Sequence, residues 1–288
     1  MTSARTTLVV RRTLQMVAVG VGLFCTILQA HADLLDQIKQ RGEIVIATEA
    51  RLPPFEFVEN GKIVGYDADL MAAVMSKLPG VKINQLDLPW QGILAGLDAK
   101  KFDYVITAVT ATKERVQRYA MSLPVSLASV DFVKRAGDKS IMNPEDVVGK
   151  IIGAQTGSGP LQAFELYNKE LIQKHGKGVA KMVDYVDYSE AYADLSNRRV
   201  DAVVQSIPNA LYLLKRRPGL FEVVEPGFGP TKYYAWAGRK DADSASLAKF
   251  IDEQLAQLNK NGEMAELQKK WFGYTMNVPS DKLPDPEQ

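Results

Sequence analysis

Residues 43–70, EIVIATEARLPPFEFVENGKIVGYDADL, constrain the fold more than any other part of this chain. The apolar run Ile44, Val45, Ile46, Ala47 predicts a strand that runs into Thr48-Glu49 and then a Pro53-Pro54-Phe55 corner. Asn60-Gly61 predicts a hairpin turn, because that pair accepts the positive φ angles a type I′ turn needs. The stretch closes on Gly65-Tyr66-Asp67, where a helix starts with Asp67 as its candidate cap.

Strand-like and helix-like patterns then alternate. Leu70, Met71, Val74, Met75 and Leu78 share one helical face that ends at Pro79-Gly80. Residues 81–88 read as a strand, 90–97 as a helix and 102–107 as an apolar strand. A second series follows: strand 148–154, a helix entered through Gln155-Thr156-Gly157-Ser158-Gly159-Pro160, strand 182–188, helix 189–197, strand 200–205 and helix 208–216. Pro160 suits a first helical turn, where its missing N–H leaves nothing unsatisfied. This alternation predicts an α/β architecture with largely parallel sheets. No linker of low complexity divides the two series, so two lobes joined by crossing strands are expected. The crossings are placed at residues 126–129 and 232–234, giving a first lobe of residues 33–127 plus 233–288 and a second of 128–232.

Composition excludes several functions. The basic start (Arg5, Arg11, Arg12), the apolar run 16–28 and Ala30-His31-Ala32 fit a cleaved signal peptide over residues 1–32. An uncleaved anchor is the alternative reading. Removal of that segment takes away Cys25, the single cysteine, and leaves His175 as the one histidine. Thiol chemistry, histidine-based triads and multi-histidine zinc sites are therefore not expected, nor is a cofactor. The remaining 32 basic and 34 acidic residues carry a net charge of −2. No basic stripe points to nucleic acid.

Six segments together resemble the type II periplasmic solute-binding proteins of family 3, the polar amino-acid binders of bacterial ABC importers, with the glutamine-binding type nearest. They are residues 48–57, 65–70, 107–115, 154–159, 200–209 and 270–273 (KWFG). The resemblance implies a periplasmic monomer that closes two lobes, each a mostly parallel sheet flanked by helices, on a small carboxylate-bearing ligand and delivers it to an ABC permease. Arg115, in TATKER, reads on its own as a solvated helix arginine or a carboxylate clamp; the resemblance implies the clamp. A planar guanidinium donates two parallel hydrogen bonds to a carboxylate. By the same resemblance Thr110 donates to that carboxylate, and Thr107 and Ala108 offer backbone contacts. Ser158 and Gly159 form a helix N-terminus that favours an anion. Gln155, Glu49, Leu52 and Gln205 reach the ligand, and Trp90 is either a pocket wall or a core tryptophan.

The main departure is Ser206, which stands where the family usually places the aspartate that holds a ligand α-ammonium. Serine brings no charge, and a desolvated ammonium without a counter-charge is costly. Glu49 becomes the candidate acid, or the ligand lacks an ordinary α-ammonium. An enzyme of the cyclohexadienyl dehydratase type on the same scaffold is the alternative, with Glu49 or Glu165 as the proton donor it would need.

Overall fold

The computed structural model describes residues 32–286. The signal-peptide expectation falls, but for its last residue, outside the described residues. From Leu34 the chain forms α1 (Leu34–Arg41), β1 (Glu43–Thr48), β2 (Arg51–Leu52), β3 (Glu56–Glu59), β4 (Lys62–Val64) and α2 (Tyr66–Met75). Then come β5 (Lys82–Asp87), α3 (Trp90–Asp98), β6 (Tyr104–Thr110), α4 (Lys113–Arg118), β7 (Tyr119–Met121) and β8 (Ser126–Leu127). The next stretch holds β9 (Val130–Arg135), β10 (Ile151–Gln155), α5 (Gly159–His175), β11 (Lys181–Tyr185), α6 (Tyr188–Ser196), β12 (Ala202–Ser206), α7 (Ile207–Arg216) and β13 (Phe221–Phe228). Finally β14 (Tyr233–Arg239), α8 (Ala245–Lys260) and α9 (Glu263–Phe272) return to the first sheet.

Two sheets organise these elements into an α/β protein of two lobes. The first runs β5-β1-β6-β14-β7, with β8 also on β14; β1 is parallel to β5 and β6, and β14 is antiparallel. The second runs β11-β10-β12-β9-β13, with β10 parallel to its neighbours and β9 antiparallel to β12 and β13. The chain passes from one sheet to the other between β8 and β9 and comes back between β13 and β14. At that crossing Ala128 N–H donates to the Lys232 carbonyl at 2.8 Å.

Local chemistry explains the element ends. Asn60 and Gly61 take φ of 52° and 74° between β3 and β4, the two positive values a type I′ turn requires. Ser158, Thr112 and Asp187 each accept a backbone N–H as side-chain caps of α5, α4 and α6. The start of α2 differs from expectation. Gly65, not Asp67, holds the cap position, and the first N–H groups of α2 donate to the Pro54 and Phe55 carbonyls at 2.9 Å. Those carbonyls crowd Gly65: a Cβ there would lie 2.2 Å from the Phe55 oxygen, at φ 135°. With its backbone partners already supplied, α2 turns Asp67 inward, where it accepts from the Trp236 indole at 3.1 Å.

Aromatic packing joins the two ends of the chain. Phe272 lies 5.2 Å from Phe55 and 5.0 Å from Tyr66, and the Phe55 ring meets Tyr234 edge-on at 5.1 Å. The adjacent Trp271 indole and Lys270 ammonium both donate to Asp69 at 2.7 Å. The KWFG segment is thus the clasp that holds the C-terminal helix against the helix of the opening motif.

Candidate functional site

The C-terminal ends of β1, β6 and β10 point at one interlobe cavity, the place where parallel α/β sheets present ligand-accessible loops. Ten of the twelve sequence-derived candidates line it: Glu49, Leu52, Trp90, Thr107, Ala108, Thr110, Arg115, Gln155, Ser158 and Gly159. The cavity is small, ≈ 20 Å³, room for about one water molecule. Bonds between the lobes close it. Trp90 Nε1 and Arg115 Nη2 donate to the Gly157 carbonyl at 3.0 and 2.9 Å, and Gln155 Nε2 donates to Glu49 Oε1 at 2.5 Å. Gly159 permits the approach: a Cβ on it would sit 2.0 Å from Thr110 Oγ1.

Arg115 is held on two sides. Its Nη1 donates to the Thr110 carbonyl at 3.0 Å, and its guanidinium carbon lies 4.9 Å above the Trp90 ring. This position gives Trp90 a wall role in the cavity as well as a place in the hydrophobic cluster around Ile93 and Val109. Arg115 takes part in no ion pair among the described residues. Loss of surrounding water pushes its pKa down to about 10. Across the cavity, burial pushes the Glu49 carboxyl up to about 8, against the opposing pull of the Gln155 amide and the Arg51 charge. The site therefore holds an arginine with no carboxylate partner facing a carboxyl group that keeps its proton at neutral pH.

Gln205 and Ser206 stand behind the cavity. The Gln205 Oε1 accepts from the Ser206 backbone N–H at 2.7 Å, and the Ser206 hydroxyl contacts Asn209 Oδ1. Asn209 in turn donates to the Pro53 carbonyl of the other lobe at 2.8 Å. Ser206 is fully buried at the start of α7, and Gln205 faces a second, larger pocket. Glu165, the other acid of the enzyme reading, is exposed on α5 and does not line the cavity.

Sequence reasoning missed Tyr188 and Tyr234, both of which line the cavity. Tyr188 opens α6 just after β11, the same strand-to-helix position that flagged Ser158 after β10, and that placement was its available signal. A buried carboxyl pair was missed as well. Glu56 accepts from the Thr107 hydroxyl beneath the cavity floor. Burial, then the neighbouring Asp67 carboxyl, pushes Glu56 well above the usual carboxylate range, and burial raises Asp67 to about 7. One oxygen of each, Glu56 Oε2 and Asp67 Oδ2, has no other partner among the described residues. The pair keeps one proton between them at neutral pH, because two adjacent buried carboxylates repel.

Two lobes that close on a cleft with this polar lining define a solute-binding protein. The bacterial extracellular solute-binding proteins, family 3, match residues 44–274, and the chain belongs to that family. It is 29% identical over 246 residues to the L-cystine-binding protein TcyJ of Escherichia coli (strain K12), covering 85% of this chain and 88% of that one. Among solved structures, an ancestral arginine-binding protein bound to arginine is 35% identical with a TM-score of 0.71, over 81% of this chain and 99% of that one. An ancestral amino acid-binding protein described as a precursor of cyclohexadienyl dehydratase is 29% identical with a TM-score of 0.72, over 84% and 100%.

Proposed function

We propose that this protein captures a polar amino acid, or an amino-acid derivative, between its lobes outside the cytoplasm and delivers it to an ABC permease. The observation that carries this reading is Arg115: a guanidinium in the interlobe cavity, stacked on Trp90, that among the described residues donates only to carbonyl groups. Exchanging a carbonyl for a ligand carboxylate replaces a neutral acceptor by a charged one, the stronger kind of bond. The Gly159 N–H at the start of α5 and the Thr110 hydroxyl complete an anion cradle. Glu49 and Gln155 take the ligand's cationic or polar portion. An amino acid is several times larger than the closed cavity, so the lobes part at the two crossings to admit it and close again around it. A cleaved signal peptide, a periplasmic location and a monomeric state belong to the same reading, as expected for the relatives' mode of uptake.

Binding of low- to sub-micromolar strength, about −8 kcal/mol or better, is expected for the right ligand. A thermal-shift screen with arginine, glutamine, histidine, cystine and acidic derivatives checks this; no response to any carboxylate ligand from folded protein contradicts it.

One observation favours a second reading. Glu49 is a protonated carboxyl in the cavity at neutral pH, and a dehydratase needs such a donor. The binding reading is preferred because Gln155 already engages that carboxyl and, among the described residues, no second carboxyl and no histidine lines the cavity. Incubation with prephenate and arogenate is expected to leave both unchanged; turnover would reverse the ranking.

A further inference from the structure

A second pocket of ≈ 390 Å³ opens on the far side of Tyr188, whose ring walls both it and the inner cavity. The two are also neighbours along the chain: Leu52 lines the inner one, while Arg51 and Pro53 on either side of it line the outer. Three guanidinium groups, Arg51, Arg216 and Arg217, border this outer pocket, and no aspartate or glutamate does. Arg51 reaches Asp87 at 3.4 Å, whereas Arg216 and Arg217 take part in no ion pair among the described residues. Basic residues near a helix C-terminus complement its dipole, which accounts for a cation at Arg216. It does not account for Arg51, which comes from the opposite lobe. The Tyr188 and Tyr192 side chains are buried, with their hydroxyls beside Ser158 and Gln205, and form the inner wall of this pocket.

We infer that this pocket is an accessory anion subsite, and that the ligand is an amino acid carrying a second acid group on an arm that passes Tyr188 to Arg216 and Arg217. The inference rests on the proposed amino-acid-binding function and narrows its substrate class. With the first carboxylate on Arg115, the distal one meets a planar fork suited to bidentate pairing, and Asn209 and Ser189 border the same pocket. Because the pocket draws residues from both lobes, an occupied subsite also favours the closed form.

Calorimetric titration tests this with two matched pairs of probes: L-cystine against S-methylcysteine, and an N-(carboxyalkyl) arginine against arginine. The proteins are the wild type and the exposed double variant Arg216→Gln/Arg217→Gln. In the wild type at least one two-acid probe is expected to bind tenfold or more tighter than its one-acid partner. That advantage is expected to vanish in the double variant while the one-acid probe changes less than twofold. Equal affinity within both pairs, or an advantage that survives the double variant, overturns the subsite alone. Failure of all four probes to bind the wild type overturns the amino-acid reading on which it stands.

Discussion

Glu49 is the cavity residue whose proton makes the site sensitive to pH. Its folded-state pKa of about 8 lies above the ordinary value of 4.5, so the folded protein binds more protons than the unfolded chain between those values. Stability from this group is thus present below pH 4.5 and is lost as pH rises toward 8. A Glu49→Gln variant, which keeps a polar group toward Gln155, is expected to flatten that part of the curve. The difference from wild type approaches ~1 kcal/mol per pH unit within the window, read by urea unfolding across pH 5 to 9. Glu56 behaves alike for a different reason, since it sits wholly within the first lobe beside Asp67. Glu56→Gln retains an acceptor for Thr107 and a donor toward Asp67. It is expected to cost less than about 1 kcal/mol at neutral pH and to gain stability relative to wild type as the pH is raised and the acid pair loses its shared proton. The sequence made Glu49 legible through its place after β1, but neither Glu56 nor Asp67 as a pair. They are eleven residues apart, on a strand and in a helix, and only the tertiary fold sets them face to face.

Elements were legible where their ends carry local chemistry. The Asn60-Gly61 turn, the helix entered through Pro160 and the alternation of strands and helices all follow from short-range rules. The start of α2 was misread because the carbonyls that satisfy it come from Pro54 and Phe55, across a tight corner that the sequence pattern does not display. Gly65→Ala is expected to cost more than about 2 kcal/mol, since it combines a forbidden φ with a Cβ 2.2 Å from a backbone oxygen; thermal or urea unfolding reads the loss. Gly159 plays a different part at the start of α5. Its added Cβ would strike Thr110 of the opposite lobe rather than its own. Gly159→Ala is therefore expected to leave unfolding within about 0.5 kcal/mol of wild type while weakening ligand binding tenfold or more, because it opposes closure. Equal losses in both measurements would place Gly159 in the folding core instead.

The whole molecule is two lobes, each built on one large sheet, with the small β2-β3-β4 sheet beside them; the lobes meet through apolar contacts such as Phe57 against Tyr212 at 6.2 Å and through polar ones. Trp90 and Arg115 share the Gly157 carbonyl, Gln155 holds Glu49, Gln91 donates to the Val186 carbonyl at 2.9 Å, and Asn209 holds Pro53. Hydrogen bonds of this kind contribute about 1 kcal/mol each, little enough for a bound ligand to shift the balance between open and closed forms. The placement of Gln205 and Ser206 belongs to this scale. Their chain position marks the end of β12, but Ser206 turns to Asn209 and Gln205 to the outer pocket, a distinction that depends on how α7 leaves the strand. The most direct test of the central claim is calorimetric titration of wild type and Arg115→Gln with the best amino acid from the ligand screen and with its carboxamide. The account predicts micromolar or tighter binding of the amino acid to wild type. It also predicts a loss of about 2–4 kcal/mol on removing either the guanidinium or the carboxylate, with little further loss when both are removed. Undiminished binding by folded Arg115→Gln, or tight binding of the carboxamide to wild type, would contradict it.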